Sequence, residues 1–149
     1  MAEPSMNLIE KYTMSNFVFL GGTCNGDDWR EKLIPLLNVN YFNPVVEDWN
    51  EEKQKIEEQK KKEAYWHLYL LTPKAKGCFS YIEAVSRLMT NPSTTIIGWL
   101  DTSDGTGWDN DQIRSIGASA KLLERLGKDN VFIFKDIESV AAIVNHICE

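Results

Sequence analysis

The sequence predicts an α/β fold: a five-stranded parallel sheet in the order 2-1-3-4-5, with helices on both faces. Three observations carry this. Short apolar runs at residues 17–20, 39–42, 67–71, 94–100 and 131–134 lack strict polar alternation, the pattern of strands covered on both sides. Helix-length amphipathic or charged segments separate them, so β and α alternate along the chain, which favours parallel strands joined through covering helices. Right-handed crossovers then leave few strand orders open.

The first strand, Phe17-Val18-Phe19-Leu20, is closed by Gly21-Gly22, and residues 23–28 form a turn. A helix follows through Leu33, Leu36 and Leu37, and Pro35 inside it predicts a short or kinked element. Residues 39–42 form the second strand, ended by Asn43-Pro44. The next helix, residues 51–64, is mostly charged and carries Glu51/Lys55, Glu57/Lys61 and Glu58/Lys62 at i,i+4. Ile56 is nearly its only aliphatic anchor. The third strand, residues 67–71, closes at Thr72-Pro73 and leads into a helix with Ile82, Val85, Leu88 and Met89 on one side. The fourth strand precedes a polar, acidic loop at residues 101–111, whose aspartate spacing and Gln112 do not fit a calcium-binding EF-hand. Ile113, Ile116, Ala120, Leu123 and Leu126 mark a helix ended by Gly127. After the fifth strand, Asp136 caps a last helix with Ile137, Val140, Ala141, Val144 and Ile147 on one face. The strand order is that of a flavodoxin-like sheet. Residues 1–15 are expected to form a loose arm with a short turn near Leu8 to Tyr12, and residues 16–149 a single domain.

The chain of 149 residues is long enough for one real core, and its hydrophobic share of 43% argues against wholesale disorder. A net charge of −6 argues against polymeric nucleic acid as the main partner. Three scattered cysteines, Cys24, Cys78 and Cys148, suit neither a disulfide framework nor a zinc site. They read as buried or half-buried thiols in a reducing compartment. No metal centre and no cofactor are expected. No basic segment leads into a long apolar run at the start, and no window reaches the ~18 apolar residues of a membrane span. The expectation is a soluble, cytoplasmic protein with no membrane partner.

In such sheets ligands bind beyond the carboxyl ends of the strands, where the strand order reverses. Gly21, Gly22, Thr23, Asn43, Ser80 and Glu83 gather there, with Asp48, Asp101 and the acidic loop nearby. Neither a GxGxxG fingerprint nor a GxxxxGK[ST] loop is present. Arg30 and the amides of Gly21-Gly22 are candidates for holding a phosphate. Trp29, Trp49 and Trp108 lie near this edge and can stack on a flat heterocycle or pack, while Trp66 and Trp99 read as core. His67 reads as a packed histidine. Glu83 carries two readings. Ser80-x-x-Glu83 is a capping box, and a carboxylate in the first turn of a helix is also held ionised and able to act as a nucleophile.

Phe17-Val18-Phe19-Leu20-Gly21-Gly22-Thr23, Trp29-Arg30, Tyr41-Phe42-Asn43-Pro44, Leu70-Leu71-Thr72-Pro73 and residues 77–85 occur in an order that resembles nucleoside 2-deoxyribosyltransferase-like proteins, over roughly residues 16–145. The resemblance implies a double displacement at C1′ of a 2′-deoxyribonucleoside, in which a second base, or water, takes the sugar from a covalent intermediate without a cofactor, and the expected partner is a small-molecule nucleoside or nucleotide. Glu83 stands at the position of the family's nucleophilic glutamate, and Glu58 or Glu57 at that of an acidic group on the preceding helix. We take Glu58 as the second catalytic candidate. The resemblance also implies self-association, with a neighbouring subunit completing the site. Two family acids are missing: Tyr65-Trp66-His67 occupies the place of one and Gly77 that of the other. This departure keeps two alternatives open, a non-catalytic binding module or sensor for a nucleotide-derived ligand, and a glycohydrolase acting on NAD-type ligands.

Overall fold

A computed structural model describes residues 15–24, 26–74 and 77–149. Apart from Ser15, the expected N-terminal arm lies outside these residues. Strand β1 spans Ser15–Gly22, helix α1 Trp29–Leu33, β2 Tyr41–Phe42, α2 Glu51–Glu63, β3 Ala64–Leu71 and α3 Phe79–Thr90. They are followed by β4 (Thr95–Leu100), β5 (Thr102–Ser103), β6 (Thr106–Gly107), α4 (Asn110–Arg125), β7 (Val131–Phe134) and α5 (Ile137–Ile147). The main sheet runs β2-β1-β3-β4-β7, all parallel, which is the order read from the sequence.

Alternate residues of the central strands feed two apolar layers. On one face Val18, Leu20, Leu68, Leu70, Ile96 and Leu100 pack with Trp29 and Leu33 of α1 and Val140, Ala141 and Val144 of α5. On the other, Tyr69, Leu71, Ile97 and Trp99 pack with Ala84 and Leu88 of α3 and Ile116 and Leu123 of α4. Helix α2 also lies over this second face, since the Lys61 ammonium stands 5.5 Å from the Phe19 ring centre. It buries none of its residues, and Ile56 is exposed rather than an anchor. Its lysines and glutamates supply contacts where the other helices supply aliphatic packing.

Several elements depart from expectation. Pro35 does end α1 early, and Ile34–Leu36 continue as a 3-10 turn. On α3, Ile82, Val85 and Met89 face solvent while Ala84 and Leu88 enter the core. The buried stripe follows the i,i+4 pair nearest the sheet, and the larger apolar side chains lie outside it. Cys24 and Cys78 are exposed, and only Cys148 is buried. Trp66 is half-buried, its indole nitrogen donating to Asn16 Oδ1 at 3.2 Å, whereas Trp99 is core as expected. The acidic loop contains a small hairpin, β5–β6, turned by Asp104 at φ 50° and Gly105 at φ 77°. Two successive left-handed residues match the twist of a two-residue hairpin, which is why Asp-Gly suits it. Asp109 then opens α4 with a reciprocal capping box to Gln112.

The two glycines predicted to close β1 lie inside it. A Cβ on Gly21 would sit 2.7 Å from the Tyr69 ring, and one on Gly22 would sit 2.1 Å from the Leu70 carbonyl oxygen. Gly22 also has φ +111°, a conformation that side-chain-bearing residues rarely adopt. Gly22→Ala therefore pushes β1 away from β3, and we expect a loss of about 2–4 kcal/mol. It would be read as a lower urea midpoint at unchanged m-value. An unchanged midpoint would mean that β1 and β3 do not approach this closely.

Candidate functional site

Two polar clusters flank the β1–β3 seam. The first lies between α2, α3 and the sheet. Glu83 sits in the second turn of α3, because the helix begins at Phe79 with Cys78 as its N-cap. The expected capping box is absent: Ser80 is already helical, the N-cap makes no side-chain bond, and Ile82 N donates to the Cys78 carbonyl. Glu83 is instead held from across the groove. Its Oε2 accepts from Lys61 Nζ at 2.8 Å, and the same ammonium stands 3.5 Å from Glu57 Oε1. The side chains of Lys61, Glu57 and Glu83 retain 27%, 22% and 22% of their exposure, so the pair is half-shielded but reachable from solvent. Burial pulls the Lys61 pKa down, but the contacts with Glu83 and Glu57 outweigh it and the net displacement is upward. Lys61 is therefore a persistent cation. Glu58 lies on the outer side of α2, exposed, with Gln54 as its hydrogen-bond donor at 3.5 Å. Of the two glutamates, Glu57 is the one the fold brings to Glu83.

Below this pair, His67 and Tyr69 project from β3. His67 Nε2 lies 3.0 Å from the Lys61 carbonyl oxygen, and Nδ1 lies 3.2 Å from the Tyr69 hydroxyl. A carbonyl can only accept, so Nε2 carries the hydrogen and Nδ1 accepts from the tyrosine. The imidazole is neutral, since burial, followed by the positive charge of Arg87, holds its pKa down at about 3. Burial, and then the Glu83 charge, push the Tyr69 hydroxyl upward. Neither is an acid of ordinary strength. Together they pin the end of α2 to the sheet and so fix the base of the Lys61 side chain.

The second cluster ties the carboxyl edge together. Asp27 accepts from the Thr72 hydroxyl, from the Ser103 hydroxyl at 3.0 Å and from the Trp29 amide at 3.1 Å. Thr23 Oγ1 accepts from the Thr72 amide at 3.0 Å. Arg30 is buried, and its guanidinium donates to the carbonyls of Leu20 at 2.9 Å, Thr23 at 2.8 Å and Gly22 at 3.5 Å. Outside this cluster, Asp104 bridges Lys32 and Lys74.

The expected binding residues divide accordingly. Gly21, Gly22 and Thr23 are occupied by the protein's own Tyr69, Leu70 and Thr72, and Arg30 is spent on backbone carbonyls, so none of these is a preformed anion cradle. Trp29 is buried, with its indole nitrogen donating to the Thr23 carbonyl at 2.7 Å, and presents no face to a ligand. Trp108 is half-buried and donates to the Leu100 carbonyl at 2.8 Å, while Trp49 is exposed. Asn43 turns its side-chain oxygen onto the Val45 amide at 3.1 Å. Asp48 and Asp101 are exposed, and Ser80 is half-buried near the start of α3. Lys61, Tyr69 and Asp27 were not singled out by sequence reasoning as site residues. Lys61 left one trace, its i,i+4 spacing from Glu57. No group of three or more metal-ligating side chains is found among the described residues, and none of their helices is long and apolar enough to cross a membrane.

The state of His67 has a measurable consequence. Its ordinary pKa is 6.5 and its folded value about 3, so between these limits the unfolded chain binds the extra proton. The stabilisation is complete above pH 6.5 and is lost as pH falls toward 3, with a slope approaching 1.4 kcal/mol per pH unit. Urea midpoints between pH 7 and 4 are expected to fall more steeply for the natural protein than for His67→Gln. Parallel curves would mean that His67 takes up its proton in the folded state.

Residues 15–102 match the family described as nucleoside 2-deoxyribosyltransferase like. No curated protein and no solved structure matches the chain. The matched segment runs from the start of β1 into the β5 hairpin and includes Lys61, His67, Tyr69 and Glu83. Strands β1 to β4, the Gly21-Gly22 pair and Glu83 thus lie within one matched unit, and the chain belongs to the nucleoside 2-deoxyribosyltransferase-like family.

Proposed function

We propose that the protein cleaves the base–sugar bond of a nucleoside or nucleotide, with Glu83 as the nucleophile. The observation that carries this reading is the state of the Glu83 carboxylate. Its Oε2 accepts from Lys61 at 2.8 Å, in a half-shielded groove that solvent reaches. A carboxylate held in place by an ammonium can attack carbon. In the first half-reaction an oxygen of Glu83 bonds to C1′ while the C1′–N bond breaks, and the electron pair leaves with the base. In the second, the nitrogen of another base, or water, attacks C1′. The glutamate is released as carboxylate, and the acceptor gives up its proton. The transition state carries oxocarbenium character, which the negative charge beneath C1′ stabilises.

The departing base needs a proton or must leave as an anion. His67 is neutral, and Tyr69 and Lys61 both hold their protons tightly. In this reading the proton comes from water, and bases that depart readily are preferred. The Lys61–Glu83 ion pair also favours a second reading, a binding module in which the ammonium quenches the carboxylate. The two separate in a chromatographic screen of nucleosides, deoxynucleosides and their monophosphates, with and without a second base. Glycosyl transfer predicts free base or exchanged nucleoside, lost by about a thousandfold or more in Glu83→Ala, with the melting temperature retained. A binding module predicts ligand-dependent stabilisation without product.

A further inference from the structure

The hairpin β5–β6 crosses the edge at which a ligand would enter. In an open parallel sheet the binding crevice lies outside the carboxyl ends of the strands, where the strand order reverses, here between β1 and β3. The hairpin grows from the end of β4, yet its polar contacts reach past β3. The Ser103 hydroxyl stands 3.0 Å from both carboxylate oxygens of Asp27, in the turn after β1. Asp104, at the hairpin tip, accepts from Lys74 after β3 at 2.6 Å through one oxygen and from Lys32 of α1 through the other. Since β3 lies between β4 and β1 in the sheet, the hairpin spans the carboxyl end of β3.

Root and tip are held differently. At the root, the Asp101 amide donates to the Phe134 carbonyl at 2.9 Å, and the Trp108 indole nitrogen to the Leu100 carbonyl at 2.8 Å. These bonds tie the hairpin to β4 and β7. At the tip the fastening is ionic, and the side chains of Lys32, Lys74 and Asp104 keep 47%, 26% and 38% of their exposure. Pairs this exposed are weak and are screened by salt. Both lysines also have other partners: Asp28 lies 3.3 Å from Lys32 Nζ, and the Gly26 carbonyl 3.5 Å from Lys74 Nζ. Losing Asp104 therefore strands neither. We propose that the β5–β6 hairpin is a strap closed over the β1–β3 crevice, fastened at its tip by Asp104 and opened by breaking those ion pairs. Closed, it engages Asp27, Lys32 and Lys74, the charged groups a polar ligand would meet at this edge. Open, it releases them. The strap does not depend on the role of Glu83.

Asp104→Asn removes the charge and keeps the turn, because asparagine also adopts the left-handed conformation and Asn-Gly suits the same two-residue hairpin. Amide hydrogen exchange of the full chain is followed by NMR in ~0.1 M and ~1 M sodium chloride, between which the Debye length falls from ~10 Å to ~3 Å. Two places are read: residues 102–107, and the Thr72 amide, which is buried against Thr23 Oγ1 beneath the strap. In the natural protein both are expected to exchange about three- to tenfold faster at high salt, as a local opening would make them. In Asp104→Asn the rates should be raised already at low salt and respond little to more. Asp111→Asn breaks an exposed pair with Arg114 elsewhere on the surface and should change neither place. The Leu68 and Ile96 amides, inside the central strands, should keep their protection throughout. Salt-independent exchange in the natural protein, or unchanged rates in Asp104→Asn, overturns the proposal. So does an acceleration that Leu68 and Ile96 share, since that is global unfolding. The salt series uses the natural protein alone and decides even if the substitution disturbs the fold.

Discussion

Much of the molecule follows from how closely β1 approaches β3 near its carboxyl end. Gly21 leaves room for the Tyr69 ring, and Gly22 lets its backbone meet that of Leu70. Once Gly22 turns out of the strand at φ +111°, the last carbonyls of β1 no longer have a simple ladder to serve. Buried carbonyls left unpaired are costly. Arg30 answers this by reaching back from α1 to the carbonyls of Leu20, Gly22 and Thr23, and Trp29 adds its indole nitrogen at Thr23. Burial pulls the guanidinium pKa down, and the nearest compensating groups are Cys24 and Asp27 rather than a paired carboxylate. The separated motifs Gly21-Gly22-Thr23 and Trp29-Arg30 are thus one structural device. It ends a strand without stranding its backbone.

The same approach decides what lies beneath α2. With Tyr69 drawn over Gly21, the second face of β1 and β3 presents Phe19, His67 and Tyr69 in place of an aliphatic layer. A helix with a continuous apolar stripe would find little to pack on. α2, charged along its length, meets this surface through Lys61, its carbonyl on His67 and its ammonium on Glu83. Here a half-shielded ion pair takes the place that leucine or isoleucine takes on the other helices. The surface network of Asp104, Lys32 and Lys74 differs in kind. The two lysines hold the Asp104 carboxyl down at about 2, but exposed pairs contribute little net stability, and its effect is to orient the β5–β6 hairpin over the carboxyl edge.

The strand order was readable because each central strand is a short apolar run, and right-handed crossovers restrict how five of them can be arranged. The clusters were less so. A glycine pair reads equally well as a ligand cradle and as a close strand contact, and only the position of Tyr69 across the ladder distinguishes them. Arg30 and Trp29 lie near the expected binding edge, yet the depth to which a side chain is buried is a tertiary property. Glu57 and Glu58 are adjacent in sequence, and a rotation of one residue decides that Glu57 faces the groove. The helix start was misjudged for a local reason. Ser80-x-x-Glu83 matches a capping box, but the chain had already turned helical at Phe79, which moved Glu83 from the first turn into the second.

That shift matters for the chemistry. At the first turn, Glu83 would owe its charge to the free amides and dipole of α3. In the second turn those amides are engaged, and the carboxylate accepts from Lys61 of another helix. The groove beside Glu83 holds Lys61, which stays charged, and beneath it His67, which stays neutral. In the proposed reaction the departing base therefore meets neither a charged imidazole at His67 nor a readily ionised phenol at Tyr69.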